Sequence, residues 1–416
     1  MMSKHIHKLK NTTIARNIVA LGVIQLTNYI IPIILIPIVV RILGVEAFGR
    51  ASYAQNIVSY LTIIVNFGFE YSGTQDIALN RNNPNALRRI FWTITRFKVL
   101  LLIFSGSILT ILYFYFFPIH NDLTLYLYAF LVNVGFVFLP NWYFLGVEKM
   151  GKMALFNLAI KLLSACCIIA LIHHPNDYRI YPLATSISYI IVGLSSFIYV
   201  IKKYNLYYER TLDNKVLKKG APIFLNNLFA TIYSNCGLTL LGIYSNEMEV
   251  GLYAGVNKVI MAITILANMP ISYAIFPQMS QKFSESTVEG WHFFQKCLIR
   301  ICILGGFVSL SVWIFAPFIV SVFLGNEFAN AYHLLRLCAP LPLLIMLAST
   351  FTIQGLYGLQ KQSFAPYIGG FIAIVTTLLS CFLVQQFNAA GAIWGYITAE
   401  ILEIILTCGI VLNYKK

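Results

Sequence analysis

Lys161, Lys258 and Arg336 each fall inside a long run of apolar residues, where any chemistry this chain performs would have to begin. A charge near the centre of a bilayer-crossing helix costs about 2.5–3.5 kcal/mol on insertion scales. Such a residue either faces a protein interior or aqueous cavity, or snorkels, its long stem carrying the head group back to the interface. Asn157 and Ser164 lie four before and three after Lys161, so all three share one helix face. Lys258 follows Asn257, and Arg336 comes three residues after His333. The three cations describe a cationic cavity, with snorkelling the competing explanation at each.

Glu400 and Glu403 stand at i and i+3 in the last apolar run, with Thr407 next on that face. They neutralise a buried cation, bind a coupling proton or sodium ion, or point at lipid headgroups. Polar residues also recur at helical spacing: Gln25 and Asn28; Gln55, Ser59, Thr62 and Asn66; Asn227, Thr231, Asn235 and Thr239. A single stripe of this kind glues helices together, whereas stripes on several segments, with Asn157 and Asn257 added, suit a wet lumen. Asp76 reads as a solvated loop residue, and His173-His174 with Asp177 as an exposed loop rather than a metal site. The eight cysteines lie in or beside apolar runs without CxxC spacing and read as small buried hydrophobes. No GxxxxGK[ST], GxSxG or HExxH occurs, so the expectation is a non-enzyme with no metal and no cofactor.

The elements that must position these residues follow from composition. Of 416 residues, 59% are hydrophobic and 11% charged, against about 25% charged in soluble domains. A soluble multi-domain enzyme is excluded. Twelve runs are long enough to cross a bilayer, at about 18–40, 51–69, 97–117, 123–145, 154–172, 181–201, 221–244, 252–276, 297–323, 332–358, 364–385 and 391–412. With the N-terminus set cytoplasmic, most of the 29 Lys and Arg, Lys98 among them, fall in cytoplasmic loops, and Arg41, Arg50 and Arg179 fall opposite. That asymmetry predicts both termini cytoplasmic. It also accounts for the net charge of +14 without a nucleic-acid partner. The basic start leads into an apolar run with no small-residue cleavage site and reads as an uncleaved first helix.

The halves echo one another. Gly49 and Gly251 each introduce a helix and precede a Tyr, and Gly146-Val147-Glu148-Lys149 matches Gly358-Leu359-Gln360-Lys361. The fold expected is therefore an all-α integral membrane protein of twelve transmembrane helices, two six-helix bundles in parallel repeat around a central cavity. The bundles would be 1–205 and 221–416, joined by a cytoplasmic linker, 206–220.

Several stretches resemble the bacterial oligosaccharide-repeat-unit flippases, the polysaccharide-transporter branch of the multidrug/oligosaccharidyl-lipid/polysaccharide exporter superfamily. They are Arg16-Asn17 with Gln25 and Asn28 before Pro32 and Pro37, then Arg41-Ile42-Leu43-Gly44-Val45-Glu46-Ala47-Phe48-Gly49. Asn66-Phe67-Gly68-Phe69, Gly73-Thr74-Gln75-Asp76-Ile77-Ala78 and Asn141-Trp142-Tyr143-Phe144-Leu145-Gly146-Val147-Glu148-Lys149-Met150 continue the likeness. Many relatives carry Arg at the position of Gln75. The resemblance implies alternating-access movement of an undecaprenyl-diphosphate-linked oligosaccharide, an O-antigen or capsule subunit, across the bacterial inner membrane. Membrane lipid, a polysaccharide polymerase and chain-length proteins are the implied partners. For that cargo Lys161, Lys258, Arg336 and Arg41 would contact diphosphate oxygens. Gln25, Asn28, Gln55, Asn66, Asn157, Asn227, Thr231 and Asn257 would line the sugar path, and Glu400 or Glu403 would carry a coupling ion. The rivals are a multidrug exporter of the same superfamily, which wants buried acids, a membrane polymerase or ligase, which wants a long periplasmic loop, and a scaffold protein.

Overall fold

The computed structural model describes residues 2–115, 122–211 and 214–414. Every regular element among them is helical. Backbone polar groups in lipid must be satisfied within the protein, and continuous rather than alternating apolar runs select helices over barrel strands. Among the described residues, eight helices are long and apolar enough to cross a membrane. There are nine if Asn326–Leu337 and Leu341–Tyr357, bent by 47°, form one crossing. The protein is a multi-pass membrane protein.

The twelve apolar segments do not each become a separate helix. Helix α1 (Met2–Asn66) runs through the first two, and α14 (Ala365–Asn413) through the last two. Each is interrupted at one residue of non-helical torsion, Gly44 (φ 75°, ψ 177°) and Asn388 (φ 47°, ψ −128°). The segment 123–145 is instead divided into α4 (Leu123–Phe130), α5 (Val132–Phe138) and α6 (Asn141–Gly146). Pro140, without an N–H, stands at the second division.

The chain forms two compact units, one of residues 1–35 and 57–227, the other of 36–56 and 228–416. In the first, α2 (Phe69–Leu79), α3 (Pro84–Tyr115), α6, α7 (Met150–Leu171) and α8 (Ile180–Tyr204) contribute to an aromatic-rich core around Phe69, Phe91, Trp142, Tyr143 and Phe144. One face of α3 also clamps the segment after α8. Arg88 Nε donates to the Asn205 carbonyl, Trp92 Nε1 to Leu206 and Tyr207, and Arg96 to Glu209, Arg210 and Thr211. Their four-residue spacing puts the three donors on one face.

The second unit contains the end of α9 (Asn214–Tyr244), α10 (Glu247–Glu285), α11 (Thr287–Phe323), α12 (Tyr332–Leu337), α13 (Leu341–Ser349), a π-helical turn Thr350–Tyr357, and α14. Part of α1 belongs to this unit and meets α10 at the glycine pair picked out in the sequence. A Cβ on Gly49 would lie 2.8 Å from the Gly251 nitrogen, so only glycine permits this approach. Arg50 pairs with Glu247 beside it at 2.5 Å.

The second sequence echo has matching backbone geometry. Glu148 (φ 57°) and Gln360 (φ 59°) are both left-handed. The next N–H reaches back to the Phe144 carbonyl at 2.8 Å in one turn and to the Leu356 carbonyl at 2.9 Å in the other. This is the helix-ending turn that satisfies terminal carbonyls through a left-handed residue.

Two positional expectations are corrected. Lys98 is not a loop cation: it lies inside α3 and is 2% exposed. Asp76 is not solvated: it is buried in α2 and ion-paired with Lys219.

Candidate functional site

The first unit buries a cation. Lys98 Nζ donates to Asn66 Oδ1 at 3.3 Å and to the Phe136 carbonyl at 3.1 Å. Leu87, Phe91, Ile94, Lys98, Ser105 and Leu109 are all buried. Their spacings of three, four and seven place Lys98 on the inward stripe of α3. That periodicity was available in the sequence, but hydropathy alone begins the segment near residue 97, whereas α3 begins at Pro84. Asn133 on α5 is fully buried, and neither of its amide atoms has a hydrogen-bond partner.

Lys161 is half-buried on α7. Its polar neighbours serve partly as helix glue. Asn157 Nδ2 contacts Asn141 Oδ1 at 3.3 Å, and the hydroxyls of Ser164 and Thr185 on α8 lie 3.3 Å apart. Asn28 and Asn227 are half-buried residues of the same unit, and the side chain of Gln25 lies outside the described residues.

The second unit holds Arg41, Lys258 and Arg336. Lys258 Nζ lies 4.6 Å from the Phe48 ring centroid and 3.4 Å from Ser52 Oγ. Arg336 lies over the rings of Trp313 and Tyr332, 5.3 Å from each, and donates to the Trp313 carbonyl at 3.3 Å. Arg41 donates to the carbonyls of Ser321 at 3.2 Å and Val322 at 2.6 Å, at the C-terminal end of α11. An arginine there satisfies terminal carbonyls and complements the helix dipole, so part of its donor capacity is structural. Gln55, Thr231 and Asn257 are half-buried. Sequence reading missed Asn56, which is buried and donates to Thr239 Oγ1 at 2.8 Å.

The same unit holds the acid pair, Glu400 buried and Glu403 half-buried. Glu400 is 5% exposed and hydrogen-bonds Tyr396. Glu403 accepts from Thr352 at 2.8 Å and from Tyr233 at 3.4 Å, one donor on each oxygen. Among the described residues neither acid forms an ion pair. Thr352 lies on the π-helical turn, a local irregularity that re-aims side chains. Tyr233 and Thr352 were not picked out from the sequence, since they come from separate segments and no spacing links them to the acids; Tyr396, also missed, stands four residues before Glu400 on α14, a helical spacing that could have found it. Outside the apolar segments, the Glu209 carboxyl is held below the usual range by the Thr211 hydroxyl and backbone N–H. His173 and His174 donate backbone N–H groups to Asp177 at 3.0 and 2.9 Å. No group of three metal-ligating side chains occurs among the described residues.

The pattern of a family described as "Polysaccharide biosynthesis protein" matches residues 14–283. Two curated relatives carry the name "Putative O-antigen transporter". One, from Escherichia coli (strain K12), is 27% identical over 97% of this chain and 98% of its own length. The other, from Shigella dysenteriae, is 26% identical over 94% of this chain and 98% of its own. Among solved structures the fold is similar to the lipid II flippase MurJ in an inward closed conformation, with TM-score 0.73 and 11% identity over 95% of this chain and 87% of that one. It is also similar to an inward-facing multidrug resistance MATE family transporter of the MOP superfamily, with TM-score 0.65 and 14% identity over 95% and 98%.

Proposed function

Because the chain belongs to the polysaccharide biosynthesis protein family, we propose that it moves an undecaprenyl-diphosphate-linked oligosaccharide, an O-antigen or capsule repeat unit, from the cytoplasmic to the periplasmic leaflet of the inner membrane. The carrying observation is the nearly full-length similarity to two relatives named for O-antigen transport. The residue chemistry supports it. A diphosphate brings about two negative charges, and ammonium and guanidinium groups contact phosphate oxygens through charge-assisted hydrogen bonds. Lys161, Lys258 and Arg336, with Arg41, are the proposed headgroup contacts. Gln25, Asn28, Gln55, Asn66, Asn157, Asn227, Thr231 and Asn257 are the proposed sugar contacts.

The proposal includes twelve crossings in two six-helix halves, 1–205 and 221–416, joined by 206–220, with both termini cytoplasmic. Transport proceeds by alternating access. Glu400, buried, and Glu403, half-buried, both held by neutral donors, are the proposed carriers of a coupling proton or sodium ion. The reaction breaks no covalent bond. A polysaccharide polymerase and chain-length proteins take the product.

Deleting the gene and following lipid-linked sugar tests this. The expected result is loss of surface polysaccharide with lipid-linked repeat units accumulating at the cytoplasmic leaflet. Unchanged glycan without accumulation, in a strain lacking any paralogue, overturns it. In complementation, Lys161→Ala and Lys258→Ala lower export while Lys203→Ala, an exposed lysine, does not.

A multidrug exporter is the second reading, favoured by the buried Glu400 and half-buried Glu403, since acids suit cationic drugs. It predicts that deletion sensitises cells to lipophilic cations and leaves surface glycan intact.

A further inference from the structure

Lys98 is held where two helices stop. Asn66 is the last residue of α1, and the backbone then turns through two left-handed residues, Phe67 (φ 43°) and Gly68 (φ 74°), before α2 begins. Packing holds this break in place: a Cβ on Gly68 would lie 2.9 Å from the Gly220 carbonyl oxygen and 2.8 Å from Ile223 Cβ. On the other side, Phe136 lies in the last turn of α5. Its carbonyl would accept the N–H of the residue four further on, but that residue is Pro140, which has none.

The carbonyl left over by Pro140 receives the ammonium, and the Asn66 side chain supplies the second oxygen. A helix C-terminus carries roughly half a negative charge. The ammonium therefore sits against the negative ends of two helices, with its counter-charge spread over backbone rather than placed on a carboxylate. Glu70, whose charge acts on Lys98, is exposed and forms no ion pair with it. Free carbonyls and half-helix C-termini at helix breaks are the groups that coordinate exchangeable cations in membrane transporters.

We infer that the two helix breaks of the first unit build a seat for a monovalent cation, and that the ammonium of Lys98 is its tethered, permanent occupant. Lys98 acts here as a positioning residue: it ties the α1–α2 break to the α5–α6 break. Removing the charge leaves the Phe136 carbonyl without a donor and returns the seat to cations from solution.

The test uses the purified full-length protein and thermal unfolding. Lys98→Ala keeps Cβ and deletes the atoms from Cγ to Nζ, which propylammonium replaces. A ligand bound only by the folded state raises the unfolding midpoint, the stabilisation growing as RT ln(1 + [L]/Kd). Propylammonium is expected to raise the Lys98→Ala midpoint by at least about 2 °C. It leaves the wild type unchanged, because there the seat is filled, and leaves Lys98→Met unchanged, because the methionine chain occupies the space that the propyl stem needs. The uncharged isostere 1-propanol gives no comparable rise. An equal rise with propanol shows cavity filling only and overturns the proposal. If Lys98→Ala does not fold, Lys98→Met, which conserves volume, decides: a midpoint equal to wild type overturns the proposal, and a lowered one supports it. These readouts do not depend on what the protein transports, so they stand or fall separately from the flippase reading.

Discussion

In the first unit a buried ammonium, Lys98, rests on a side-chain oxygen and a backbone carbonyl at two helix ends. In the second, two carboxylates, Glu400 and Glu403, rest on the hydroxyls of Tyr396, Tyr233 and Thr352. The difference follows from the donor and acceptor supply inside a helical membrane protein. Helix ends and proline positions free carbonyl oxygens, so acceptors for a cation come from the backbone. A carboxylate needs donors, and mid-helix N–H groups are already committed, so side-chain hydroxyls supply them. Lys98 is covalently attached and cannot leave, whereas a carboxylate held by neutral donors retains capacity for a proton or metal ion. On the proposed reading, the locus in the second unit is the one that exchanges an ion.

Reversing the sign of the first locus should have the largest effect. Lys98→Glu sets a carboxylate against two helix C-termini and a carbonyl, and should cost about 3–5 kcal/mol, in the range for disrupting a buried charge. Loss of folded protein after detergent extraction would register it, and retention of wild-type yield would show that the helix ends contribute little.

Next comes removal of charge from the second locus. Glu403→Gln can accept on one oxygen only, so one of the two hydroxyl donors loses its acceptor, at about 1–3 kcal/mol. Together with Glu400→Gln, it should lower export by about tenfold or more, equivalent to about 1.4 kcal/mol of barrier. Surface glycan normalised to protein level measures this. Wild-type export by both variants would mean that the acids only pack, and the contrast between the units would lose its functional meaning.

A smaller effect is expected at an ion pair of the first unit. Asp76→Asn breaks the contact with Lys219, whose side chain is 44% exposed. Solvent screening limits the loss to about 1 kcal/mol or less, measurable as a modest fall in the unfolding midpoint. A loss as large as that of Lys98→Met would show that burial does not set the ranking.

The smallest is a pH effect. The Glu209 carboxyl is lowered by hydrogen bonds from Thr211. Its contribution is present at neutral pH and is lost as pH falls below the ordinary glutamate range through the lowered value. Hydrogen-exchange protection factors at Tyr207–Thr211 should fall on acidification in that window. Glu209→Gln should remove the pH dependence, while protection near Lys98 stays unchanged.

Much of the molecule can be read from residue order. The low charge, the apolar runs, the glycine pair Gly49 and Gly251, and the matching turns at Glu148 and Gln360 are local signals, each set by its own few residues. The breaks were harder to read: Gly44 and Asn388 interrupt the helices at single residues, and hydropathy averaged over a window does not resolve one residue. Lys98 and Asp76 were misplaced for a related reason, since each lies near the edge of an apolar run and only its neighbours reveal its burial.

What the sequence alone determined is that this chain lives in a bilayer as helices, because lipid leaves an apolar chain few alternatives. What only the tertiary structure decided is which charges meet which partners. Asn66, Lys98 and Phe136 come from three helices, and Tyr233, Thr352 and Glu403 from three others. No spacing along the chain encodes those meetings, because packing between segments brings the groups together.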